Sequence, residues 1–166
     1  PFGEDVLMAR ALLEAGYLIH QMLEGRDDIL DAMARNRIRF TIMACDEFTT
    51  QVPEHSDLEP PKFWDKRARG LGATHGRPSV SCGEENLLRI AGDPYRAENI
   101  LIHEFAHAMH NTGMDLVDPS FDSRLKATYA AAMKKGLWKT KYAANNHHEY
   151  WAEGVQSWFD TNRKPD

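Results

Sequence analysis

The chain has 166 residues, 42% of them hydrophobic and 27% charged, with a net charge of −5. That length suits one domain with a core of its own, expected over residues 1–166. The negative charge and the lack of a basic run or basic helix argue against nucleic acid as a partner, and no apolar stretch approaches the ~20 residues of a membrane span.

The chain opens on Pro1, with no methionine and no signal-peptide pattern, as expected of a processed form or an excised domain. Val6, Leu7, Leu13, Tyr17 and Leu18 recur at helical spacing and predict a helix from Asp5 to Glu24, stopped at Gly25. The Asp27-Asp28 pair starts a second helix, to Ala34. From Arg37 to Ile42 polar and apolar residues alternate, which predicts a half-buried strand. Thr49 to Pro78 is rich in proline and glycine and reads as a long loop, with one helical turn near Phe63 and Trp64. A loop of that length in a small domain is often functional.

Ser79 to Ile90 is expected to add one or two short strands. Tyr95 to Asn111 reads as a helix with an apolar stripe of Ala97, Leu101, Phe105 and Ala108. Asp118 and Pro119 start another helix, burying Phe121, Leu125, Tyr129 and Met133 and ending at Gly136. The last helix runs from Asn146 to Asp160, with Trp151, Val155, Trp158 and Phe159 on its apolar side. The order predicts an α+β fold, a small sheet beside helices. Cys45 and Cys82 could pair or stay as two buried thiols. A secreted or periplasmic setting is favoured over the cytoplasm.

The chemistry centres on His103-Glu104-Phe105-Ala106-His107, an H-E-x-x-H sequence. Positions four apart on a helix nearly eclipse, so both imidazoles project one turn apart from one face and can share a zinc ion. Glu104, turned away by about 100°, is placed to take a proton from water rather than to bind the metal. On this reading His103, His107 and His110 face a cleft or solvent, opposite the apolar stripe. A third ligand is needed. A histidine six residues beyond His107 is excluded, because that position is Gly113. Glu149 and Glu153, four apart on the last helix, offer one carboxylate for the metal and one to accept an N–H from a metal-binding histidine.

With Glu149-Tyr150-Trp151-Ala152-Glu153 following His103–His107, the chain resembles the gluzincin metallopeptidases, most of all those of the anthrax lethal factor catalytic-domain type. That resemblance implies a zincin-like domain: a small mixed sheet, an active-site helix and a C-terminal helix bearing a glutamate. It assigns Glu149 as the third zinc ligand and Glu153 as the carboxylate behind a ligand. It also assigns Tyr142, seven residues before Glu149, as the donor to the oxyanion; Tyr150, next to Glu149, is the fallback by position. His110 is expected to line the cleft. His147 and His148 are expected to be surface residues at a helix start, unless they touch substrate or bind zinc instead.

The expected activity is hydrolysis of a peptide or protein, endopeptidase favoured, by a zinc-activated water with Glu104 as general base. The strand material from Val80 to Leu88 is expected to hold an extended substrate by adding a strand. The alternatives are a zinc hydrolase with a non-peptide substrate, or a non-catalytic binding module on the same scaffold.

Overall fold

A computed structural model describes residues 4–163 of the chain. The sheet has three strands: β1 (Arg39–Met43), β2 (Gly70–Leu71) and β3 (Ser79–Gly83), in the order β1-β3-β2. β1 runs parallel to β3, with Arg39 opposite Ser79 and Met43 opposite Gly83. β2 runs antiparallel to β3, with Gly70 opposite Cys82. β3 is buried along its whole length, as a central strand covered on both faces should be. Its position corrects the expectation that Val80 to Leu88 offers a free edge. Both edges of β3 are taken, and Glu84–Leu87 forms a short helix, α4. The sheet's outer edges belong to β1 and β2, and β2 borders the cleft described below.

The segment from Thr49 to Pro78 is not a bare loop. It contains two short turns of helix (Thr49–Gln51 and Pro53–His55), then helix α3 (Pro61–Arg67) around Phe63 and Trp64, then β2. Buried polar contacts tie it down. Thr49 Oγ1 donates to the Ala68 carbonyl at 2.6 Å, and His55 Nε2 meets Ser81 Oγ at 3.2 Å. Arg69, just before β2, pairs with the buried Glu85 of α4 and donates to the Ala44 carbonyl. Low hydrophobicity concealed this order, because polar anchors do not register in an apolar pattern.

Helix α1 (Glu4–Met22) packs on the sheet's neighbour α5 (Ile100–Met109), and α2 (Asp27–Arg35) packs on the segment that follows α5, with Ile29 and Met33 against Gly113. The inward face of α1 differs from the expected one. Ala11 and Ala15 are buried, with Leu18, Ile19 and Met22 against the core, while Val6, Leu13 and Tyr17 face outward. α5 also differs. It is buried all round except at Glu104 and His107, as a helix apolar on every face should be. Its start is set by Asn99, whose side chain accepts from the Ile102 N–H at 3.1 Å. Ala97 lies before the helix and is exposed.

After α5 the chain makes one wide turn of helix (His110–Met114), then α6 (Asp115–Val117), α7 (Phe121–Lys134) and α8 (His147–Trp158). On α7, Leu125 and Ala132 are buried, and Phe121, Tyr129 and Met133 are half-buried. On α8 the expected apolar face is corrected at Trp158, which is 86% exposed. Ala152 and Gln156 turn inward against α5 instead. Both cysteines are free, Cys45 exposed and Cys82 buried in β3. The α+β expectation holds. Among the described residues, no helix is long and apolar enough to cross a membrane.

β2 lies unusually close to α5, and glycine permits it. A Cβ at Gly72 would stand 2.7 Å from His107 Cβ and 3.0 Å from the Glu104 carbonyl. Neither atom can yield without moving α5. Gly72→Ala should therefore destabilise the protein by about 1–3 kcal/mol, as overpacking does. Gly76→Ala, in open space, should leave stability unchanged. Chemical denaturation checks this; equal midpoints for both variants would contradict the close packing of β2 on α5.

Candidate metal centre

α5 presents His103 and His107 one turn apart, and α8 brings Glu149 to the same point. His103 Nε2 lies 3.1 Å from His107 Nε2 and 3.0 Å from Glu149 Oε2. His107 Nε2 lies 3.4 Å from the same carboxylate oxygen. Two ligand atoms on a tetrahedral zinc ion, with bonds near 2.0–2.1 Å, stand roughly 3.3 Å apart. All three separations match that value. Among the described residues, this is the one group of three or more His, Cys, Asp or Glu side chains placed to share an ion. Asn146 fixes the start of α8, accepting from the Glu149 N–H at 3.0 Å, so the Glu149 carboxylate sits on a capped first turn.

The hydrogen bonds behind His103 decide its tautomer. Gln156 Nε2 donates to the Asn99 carbonyl at 3.1 Å, so its Oε1 is the end that faces His103. That oxygen can only accept, and His103 Nδ1, 2.9 Å away, must donate. The neutral ring then carries its lone pair on Nε2, which points at another acceptor, Glu149 Oε2. Such a contact requires a cation between the two: a proton on Nε2, or a metal ion. The donor set of two imidazoles and a carboxylate fits zinc, and a metal-binding histidine usually donates its other ring N–H to an oxygen acceptor, the part that Gln156 Oε1 takes here.

This arrangement corrects the role expected of Glu153. Its carboxylate is buried but lies against the C-terminal segment. Asn162 Nδ2 donates to Oε2 at 3.0 Å, and Arg163 stands 3.6 Å from Oε1. Gln156 holds the histidine instead. The signal was present in the helical wheel. Position 156 falls about 20° from Glu149 around the helix axis, whereas position 153 falls about 40° to the other side.

Glu104 and Tyr142 both border the cleft of about 480 Å³ that opens beside His103, His107 and Glu149. Glu104 packs against Gly70 and Gly72 and accepts no hydrogen bond from the described residues. The Tyr142 ring centre is 6.1 Å from that of His103. Burial, with the Glu149 charge, raises the pKa of the Tyr142 phenol and keeps it protonated. Tyr129 of α7 pins the turn that carries it, donating to the Ala144 carbonyl at 2.6 Å. Tyr150 packs near Tyr129 and Trp138, away from the cleft.

His110 does not line the cleft. It lies about 4.5 Å further along the helix axis than His107, where α7 and α8 cover it. His110 is 5% exposed, with Nε2 3.3 Å from Asp122 and Nδ1 3.3 Å from His148 Nδ1. His147 Nε2 reaches the same Asp122 oxygen at 3.1 Å. The two histidines expected at the surface are thus half-buried partners of His110 and Asp122. Their hydrogen bonds close on one another, and none of them joins His103, His107 and Glu149.

Burial works to deprotonate His103, but Glu149, Glu104 and Gln156 outweigh it and push the imidazole up to about 9. Burial works to raise Glu149, but hydrogen bonds from His103 and His107 hold it down at about 2. In metal-free protein, His103 therefore stabilises the fold fully below about 6.5, its ordinary value, and that contribution is lost as pH rises through about 9. The Glu149 contribution is complete above about 4.5 and is lost as pH falls through about 2. A metal ion must displace the His103 proton. The gap in Tm between zinc-loaded and chelator-treated protein should therefore widen as pH rises from 6 to 9. A gap that is constant or narrows over that range would contradict a shared proton and metal position.

Comparison with protein-family models, with curated proteins and with solved structures returned no match, so the reading of this centre rests on its own geometry.

Proposed function

We propose that the chain is a zinc-dependent peptidase of the gluzincin type on a zincin-like domain, with His103, His107 and Glu149 holding the ion. One observation supports it above the rest: three acceptor atoms converge at zinc-ligand spacing beside an open cleft, with no fourth protein ligand among the described residues. A structural zinc is normally closed by four protein ligands, whereas a catalytic one keeps a position open. That contrast favours catalysis over a binding module.

When bound, zinc would supply Lewis acidity to a scissile carbonyl and make water a better nucleophile. The protein's own groups do the rest. Glu104 takes the proton of the attacking water and passes it to the leaving amine. Its carboxylate is free for that task because Gly70 and Gly72 pack against it without hydrogen bonding to it. Tyr142 keeps its proton and donates to the carbonyl oxygen as negative charge develops there, a kind of contact worth roughly 2.7–4 kcal/mol in other enzymes. An extended peptide pairs with the open edge of β2, whose residues Gly70 and Leu71 line the cleft together with Gly72. An edge strand recognises backbone rather than one side chain, which favours an endopeptidase.

The test is cleavage of a blocked-peptide library by zinc-loaded protein. Wild type should cleave. Glu104→Gln should keep its zinc and lose about a thousandfold in kcat. Tyr142→Phe should lose about a hundred- to a thousandfold in kcat with little change in KM. Wild-type rates in Glu104→Gln would contradict the assigned base. No cleavage of any peptide by zinc-loaded wild type would contradict a peptide substrate.

A further inference from the structure

Three guanidinium groups border the cleft: Arg67, Arg69 and Arg163. Two are already spent. Arg69 makes two hydrogen bonds to the buried Glu85 and others to backbone carbonyls. Arg163 lies between the buried carboxylates of Glu98 and Glu153, at 3.4 Å and 3.6 Å. Arg67 has no carboxylate partner among the described residues. Its side chain makes one long hydrogen bond, from Nη2 to the Tyr142 hydroxyl at 3.4 Å.

Arg67 is nonetheless held in place at its backbone. It is the last residue of α3, and its carbonyl accepts from the Tyr95 hydroxyl. The next residue, Ala68, is 5% exposed, and its N–H returns to the Trp64 carbonyl at 2.9 Å. The backbone that carries the guanidinium is therefore fixed at the cleft wall, and the exposed side chain reaches the tyrosine assigned to the oxyanion with most of its N–H donors free.

Arg69 is answered by Glu85 and Arg163 by Glu98 and Glu153, whereas no carboxylate among the described residues answers Arg67. We propose that Arg67 recognises a carboxylate of the substrate close to the scissile bond, so that the preferred peptides are acidic there. This rests on the peptidase reading above. A planar guanidinium pairs with a carboxylate through two parallel hydrogen bonds, which gives direction as well as charge. The carboxylate comes either from an Asp or Glu side chain within the substrate or from its free C-terminus.

Binding to the zinc-loaded Glu104→Gln protein separates these sources without requiring turnover. The probes are acetylated, amidated hexa-alanine peptides with one Glu, or one Gln, walked through the six positions. A second pair compares the acetylated peptide with a free or an amidated C-terminus. Calorimetry at low salt should find at least one carboxylate peptide binding about tenfold tighter than its uncharged twin, a modest value for a partly solvated ion pair. The difference should shrink as salt is added. It should vanish in Arg67→Gln and persist in Lys66→Gln, an exposed cation on α3 that does not border the cleft.

A preference confined to the Glu series assigns a side-chain carboxylate, and one confined to the free C-terminus assigns a terminal carboxylate. Equal affinity for every pair of twins, or a preference that survives Arg67→Gln, would overturn the inference and leave the peptidase reading standing. No binding of any peptide would overturn both.

Discussion

The hydrogen bond from His103 Nδ1 to Gln156 is the interaction on which the centre depends. Without it, either ring nitrogen could carry the proton, and the short contact between Nε2 and Glu149 would be an ordinary hydrogen bond. With it, Nε2 must present a lone pair to an acceptor unless a cation intervenes. Glu149 and Gln156 stand two turns apart on one face of α8, so a single helix grips His103 at both nitrogens. The fixed relation between α5 and α8 thereby becomes the fixed geometry of His103, His107 and Glu149. Trp151 secures the same relation from the side, donating to the Ala106 carbonyl at 2.8 Å.

The surroundings make that geometry stiff. α5 is enclosed by the sheet, α1 and α8, and only Glu104 and His107 reach partly into the open. Groups that must keep their positions during a reaction benefit from such an element, because packed side chains leave few alternative rotamers. The chain then comes down against α5 at Gly70 of β2 and at Gly72 just beyond it, setting a free strand edge beside His103, His107 and Glu149. Fold and chemistry meet at Gly72, where one methyl group would separate them.

Much of the centre was legible in the sequence because it is local. The spacing of His103 and His107 follows from helix geometry alone, and Asn146 at the start of α8 marks the cap that positions Glu149. What was not legible depends on tertiary packing. Glu153 looked like the orienting carboxylate because charge is conspicuous in a sequence, yet a neutral glutamine nearer the Glu149 face took that place. His110 shares the helical face of His103, but α7 and α8 cover its level of the axis. Leu13 and Tyr17 marked an apolar stripe on α1, whereas Ala11 and Ala15 make the seam that is buried. Arg67 carried no signal at all, since an unpaired arginine is recognisable only once its neighbours are known.

The most direct test of this account is zinc affinity measured by competition with a chelator, for wild type, Gln156→Leu and Glu149→Ala. The account predicts about one tightly held ion per wild-type chain. It predicts affinity about ten- to a hundredfold weaker in Gln156→Leu, the usual cost of losing the group that orients a metal-binding histidine. Glu149→Ala should lose the ion at the same chelator strength. Wild-type protein that holds no zinc, or three proteins that hold it equally, would contradict it.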